Sequence, residues 1–215
     1  VETPTYLGAL QALSQYFPRY LELPCDDGGL DSGALRAALE SAPVRCKFLY
    51  TIPTFQNPTG RTLSLARRRA LIEACRQADL PIVEDDPYGE LDHNGRRHTT
   101  LLSMDPDRVA YLGSFSKVLS PGIRLGYVVA PAALARRLEQ AKQASDLHSS
   151  TLVQRVVHAI VRDGFLDGHL TKSRALYRRH AQALDAALHS HMGSEAQWQA
   201  PAGGMFLWLR LKRGL

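Results

Sequence analysis

Three short apolar runs recur along the chain at residues 47–52 (KFLYTI), 80–85 (LPIVED) and 109–112 (VAYL), with helical patterns between them. Runs of this length, bounded by turn-forming residues, read as buried strands. Between the first two, Thr62 or Ser64 caps a helix reaching Ala78, with Leu65, Ala66, Ala70, Leu71, Ala74, Cys75 and Ala78 as its apolar stripe. Strand alternating with helix implies an α/β fold, a mostly parallel sheet flanked by helices. Shorter helices are expected over residues 7–16 and 31–41, and a brief strand over 20–24. Pro131 opens a further helix toward Leu147, and Thr151 with Gln154 fits a capping box for the next. Residues 166–192 carry a long helical pattern, and 197–199 and 205–211 look like strands. This tail is richer in Arg and His. It reads as the start of a smaller α+β domain, dividing the chain into 1–165 and 166–215.

Open α/β sheets place ligands beyond the carboxyl ends of their strands. Asn57, Asp85, Tyr88, Ser114 and Lys117 all fall just after such ends. Lys117 follows the third run in GSFSKVLSPGIRLGY, residues 113–127, where a polar turn leads to a second apolar run holding Arg124. A lysine there, with hydroxyls beside it and an arginine near, suits an anion such as a phosphate. A desolvated lysine amine also forms Schiff bases with aldehydes. Aldehyde plus phosphate describes pyridoxal phosphate; an exposed loop lysine among turn-forming serines is the plainer alternative. Asp85 closes an apolar strand, where a carboxylate requires a positive partner. A pyridine nitrogen would supply one, and so would a surface arginine.

The 215 residues, 45% hydrophobic, suffice for one sizeable core. Net charge is +5, with arginines scattered along helices and no basic arm, so a solvated helix face accounts for them better than a nucleic-acid surface does. Cys25, Cys46 and Cys75 have no metal-ligand spacing and read as reduced thiols of a cytoplasmic protein. No apolar run approaches the about 20 residues that span a bilayer. The chain starts without methionine at a strand exit and stops after a strand, so it reads as an interior piece, truncated at both ends.

Five stretches together carry a resemblance: PTY (4–6), YTIPTFQNPTG (50–60), IVEDDPYGEL (82–91), GSFSKVLSPGIRLGY (113–127) and PAGGMFLWL (201–209). In order and spacing they resemble the fold-type I pyridoxal-phosphate enzymes, the class I/II aminotransferases, and within them the 2-aminoadipate and kynurenine branch. The resemblance implies an aminotransferase large domain followed by the start of the small one. It implies pyridoxal 5′-phosphate as cofactor, with Lys117 forming the aldimine and shuttling the Cα proton. Asp85 would pair with the pyridine nitrogen. Tyr88 and Asn57 would hold the ring oxygen, and Asn57 would also touch the substrate carboxylate. Ser114, Ser116 and Arg124 would bind phosphate, and Tyr6 would stack on the ring. Substrates would be an amino acid and a 2-oxo acid, and the full-length protein a homodimer, with no membrane partner.

Three family features are missing from the 215 residues: the loop that wraps the phosphate, the arginine that clamps the substrate carboxylate and the N-terminal gating segment. A second function uses the same residues, the effector domain of a winged-helix transcription regulator; only then would nucleic acid be a partner. Glu84-Asp85-Asp86-Pro87-Tyr88-Gly89 departs from the wording common in such regulators and favours the enzyme. A lyase or decarboxylase would share the cofactor residues and differ in its substrate pocket.

Overall fold

Apolar alternation builds the central sheet. The computed structural model describes residues 1–212. It begins with β1 (Glu2–Thr3), α1 (Leu7–Ser14), β2 (Leu23–Asp26), β3 (Gly29–Leu30) and α2 (Ser32–Ser41). Then come β4 (Leu49–Thr51), α3 (Leu65–Gln77), β5 (Ile82–Asp85), α4 (Leu101–Met104), β6 (Val109–Ser114), α5 (Phe115–Val118) and β7 (Gly126–Val129). Helices α6 (Ala132–Asp146), α7 (Thr151–Arg162) and α8 (Phe165–Met192) precede β8 (Ala196–Gln197) and β9 (Arg210–Leu211).

The main sheet has the order β4-β5-β6-β7. The first three strands are parallel, and β7 returns antiparallel to β6, with Gly113 opposite Tyr127. On one face Leu49, Ile82 and Val109 pack against Leu71, Ile72 and Cys75 of α3 and Leu35 of α2. The other face carries Tyr50, Val83, Asp85, Ala110 and Leu112, and borders a cleft of about 820 Å³ between α1 and α6. A second core joins Tyr50, Ile52, Phe55, Tyr88 and Leu91 to Leu170 of α8. The remaining two sheets are small, β1-β2-β3 and β8-β9.

Helix caps follow side-chain chemistry. Asp31 caps α2 by accepting from Ala34 N, and Ser64, rather than Thr62, caps α3 through Arg67 N. The cap of α7 is Ser150, which accepts from Val153 N, while Gln154 turns back to Ser149 O; Thr151 is already helical.

Elsewhere the chain departs from the expected pattern. The polar turn after β6 closes into the one-turn helix α5. On α3, Leu65 and Ala66 are exposed and Arg68 is buried. Its guanidinium donates to Leu63 O, Thr99 O, Pro53 O and Thr54 Oγ1, so four acceptors replace water. Of the expected 205–211 only Arg210–Leu211 pairs, and residues 205–209 are not strand. Just before them the backbone is drawn to the second core, with Gly204 N bonded to Leu91 O and Ala202 O to His93 N. In α8 only Leu170 is buried; Leu176 and Leu184 are exposed. Among the described residues no helix is long and apolar enough to cross a membrane, and no cluster of His, Cys, Asp and Glu could hold a metal ion.

Candidate active site

The sequence EDD at the end of β5 is sorted by the strand's two-residue period. Glu84 turns to the helix-packed face, where its carboxylate accepts from Leu101 N and Leu102 N, both at 2.9 Å. Burial pushes its pKa up to about 7. Asp86 follows on the same side, accepting from Gly89 N at 2.8 Å and from the Tyr111 hydroxyl at 3.2 Å.

Asp85 points the other way and lines the open cleft with Tyr6 and Tyr50. The Tyr50 hydroxyl donates to Asp85 Oδ2 at 2.6 Å. Burial raises the Asp85 pKa above the ordinary carboxylate value; the Tyr50 hydrogen bond opposes this and the Asp86 charge adds to it. Among the described residues no cation contributes. A desolvated carboxylate whose hydrogen-bond partner is a neutral phenol suits an incoming positive group.

Asn57 sits on the loop after β4, which is tied down from several sides. Gln56 Nε2 donates to Pro4 O at 2.8 Å, and its Oε1 accepts from Thr59 N and Thr59 Oγ1. Arg68 holds the loop's base through Pro53 O. Asn57 Nδ2 lies 3.5 Å from the Tyr88 hydroxyl, a long hydrogen bond. The Tyr88 ring is buried and meets Phe206 edge-on, centroids 5.5 Å apart. Burial pushes its phenol up to about 12. Tyr6 starts α1 with its ring folded over Gly8, where a Cβ would collide with it.

Ser114 ends β6 and caps α5, accepting from Ser116 N at 3.1 Å. Register puts Asp85 beside Leu112, two residues short of Ser114, so the ends of β5 and β6 adjoin. Lys117 and Ser116 are half-buried on α5. Among the described residues Lys142 pairs with Asp146, while Lys117 enters no ion pair. Arg124 is exposed, at φ +52°, and donates to Pro121 O at 3.3 Å.

The structure therefore brings Tyr6 and Asp85 to one cleft and Asn57 to Tyr88. Ser114 borders a neighbouring hollow of about 350 Å³ with Asp86 and Tyr111, and Ser116, Lys117 and Arg124 line neither space. Two residues escaped the sequence reading. Tyr50 reads as one more apolar strand residue, and nothing local marks its hydroxyl. Arg68 shares a helix face with Leu71, but its acceptors come from Pro53, Thr54, Leu63 and Thr99, and nothing local marks its burial.

Residues 5–214 match the family model "Aminotransferase class I and II". Over its whole length the chain is 42% identical to aromatic-amino-acid aminotransferase 1 of Thermococcus litoralis, covering 52% of that protein. The crystal structure of LysN, the alpha-aminoadipate aminotransferase of Thermus thermophilus, complexed with N-(5′-phosphopyridoxyl)-L-leucine, superimposes with a TM-score of 0.94 at 41% identity. It covers all of this chain and 55% of its own. An uncharacterized HTH-type transcriptional regulator of Bacillus subtilis, YisV, is 35% identical over the whole chain and 44% of its own length. The chain spans about half the length of the curated aminotransferases it matches. With the fold and the strand-end motifs in agreement, the chain belongs to the class I and II aminotransferase family.

Proposed function

We propose that the full protein is a pyridoxal-phosphate-dependent aminotransferase exchanging amino and keto groups between an amino acid and a 2-oxo acid. The observation that carries this reading is Asp85, a half-buried carboxylate at the carboxyl edge of the sheet with a phenol and, among the described residues, no cation as partner. That environment fits a protonated pyridine ring. When bound, pyridoxal 5′-phosphate supplies an aldehyde for amines and a ring that withdraws electrons from the substrate.

The chain's own residues hold and orient that group. Asp85 holds the ring nitrogen in its protonated form. Asn57 and Tyr88 hold the ring hydroxyl oxygen, and their mutual contact keeps the two aligned. Tyr6 covers the ring face, and Ser114, Ser116 and Arg124 take the phosphate. Lys117 would hold the aldehyde carbon and would move the proton at the substrate Cα. Asn57 also meets the substrate carboxylate.

Relatives named for aromatic amino acids and aminoadipate support a large amino acid as donor. We extend the reading to a cytoplasmic homodimer and to a division between a cofactor domain, 1–165, and the start of a smaller one, 166–215. A regulator's effector domain is the second reading, favoured by the similarity to YisV.

Borohydride reduction of the full-length protein with cofactor, then peptide mapping, tests the site. The pyridoxyl label is expected on Lys117, and a label confined to Lys47, Lys142, Lys172 or Lys212 overturns the assignment. Turnover of 2-aminoadipate or an aromatic amino acid with a 2-oxo acid separates enzyme from regulator.

A further inference from the structure

We infer that Tyr50 is a positioning residue for Asp85, aiming the carboxylate at the cationic ring nitrogen and keeping it ionised. The inference rests on the cofactor reading above. Tyr50 stands opposite Val83 on paired parallel strands, and Asp85 is two residues further along β5 on the same face. A diagonal neighbour of this kind is within reach of a long aromatic side chain. Tyr50 is 4% exposed, and its hydroxyl closes on Asp85 Oδ2 at 2.6 Å. That is the length of a charge-assisted O–H···O⁻ bond.

A phenylalanine would fill the same volume, so the hydroxyl is the feature to be explained. The titratable groups that face the pair are Glu2 of β1, Tyr6 at the start of α1, and Asp86 and Tyr88 beyond β5. None is cationic; Lys47 and Arg108 line the same cleft, but at the amino ends of β4 and β6, opposite the end that holds Asp85. Among the described residues Tyr50 is thus the group that favours the ionised form of Asp85, against burial and against the neighbouring carboxylate. By taking Oδ2 it fixes the carboxylate plane and leaves Oδ1 for a ring N–H.

The test uses the full-length apoprotein and two ligands, pyridoxal 5′-phosphate and its 1-deaza analogue, which has carbon in place of the ring nitrogen. Dissociation constants for both are read by fluorescence titration, and the absorbance of the bound cofactor is followed against pH. Wild type is expected to prefer the nitrogen ligand. Tyr50→Phe is expected to reduce that preference by about tenfold, the worth of one hydrogen bond to a charged group, with analogue binding unchanged. Its absorbance titration should shift as well. In an Asp85→Asn background the same substitution should change neither reading.

Equal loss of both ligands in Tyr50→Phe marks a merely structural tyrosine and overturns the inference. An undiminished preference overturns it too, while leaving the role of Asp85 standing. No preference in wild type removes the Asp85 reading itself, and this inference with it. Should Tyr50→Phe not fold, 3,5-difluorotyrosine at position 50 keeps the ring and alters only the phenol's acidity; an unaltered ligand preference there is again a refutation.

Discussion

Asp85 and Asn57 differ in the kind of interaction they offer a ligand, charge against a neutral dipole. An opposite charge at contact distance moves a pKa by about 1–3 units, each about 1.36 kcal/mol. Asp85→Asn in the full-length protein is therefore expected to slow single-turnover deamination by tenfold to about a thousandfold at saturating cofactor. Asn57→Ala removes a net hydrogen bond of about 0.5–1.5 kcal/mol and should cost about tenfold at most. Rates measured with one good amino donor compare the two; near-parental rates in Asp85→Asn with a collapse in Asn57→Ala would reverse the assignment. Asp85 was legible from its place after an apolar run. Tyr50 was not, because its reach depends on the register of two strands distant in sequence, which sets it opposite Val83.

At the scale of elements, the site hangs from loops whose anchors are not local. Arg68 ties the loop holding Asn57 to α3 and to Thr99 O. Arg68→Met keeps much of the apolar stem but leaves buried carbonyls short of a donor, each worth about 1–3 kcal/mol. Thermal unfolding should show a loss in that range, and cofactor affinity should fall with it as the Asn57 loop loosens. The pairing of β6 with β7 has its own requirement. Tyr127 lies across Gly113, where any Cβ would collide with its ring. Gly113→Ala should destabilise by about 1–3 kcal/mol, as overpacking does, and Tyr127→Ala in the same chain should recover part of the loss. Full additivity of the two changes in denaturant unfolding would show that the ring is not the obstacle.

The whole molecule carries two buried glutamates that link stability to pH. Burial raises both Glu2 and Glu84 from an ordinary 4.5 to about 7. The folded state then binds protons more tightly than the unfolded chain. Their contribution is complete below about pH 4.5 and is lost as pH rises through about 7. Unfolding free energy of the full-length protein should fall across this window by an amount on the order of a few kcal/mol. Glu84→Gln, which cannot ionise, should flatten the profile. A slope unchanged in both Glu84→Gln and Glu2→Gln would show that neither group titrates differently in the two states. Glu2 also joins β1 to the main sheet, accepting from Thr51 Oγ1 at 2.8 Å and Ile52 N at 3.1 Å.

By itself the sequence determined the alternation of strand and helix, because apolar runs, caps and turn formers act over a few residues. It also determined which polar groups stand at strand ends: Asn57, Asp85, Ser114 and the Lys117 turn. The two-residue period even sorts Glu84 and Asp86 from Asp85. Tertiary structure alone decided what those groups meet. Arg68 is buried because acceptors at positions 53, 54, 63 and 99 converge on it. Residues 205–209 lie outside the sheets, and the turn just before them is bonded to Leu91 and His93. Asp85 has a phenol for a partner because parallel register sets Tyr50 diagonally beside it. Such pairings join segments distant in sequence, and their energies depend on burial, which no local pattern of residues contains.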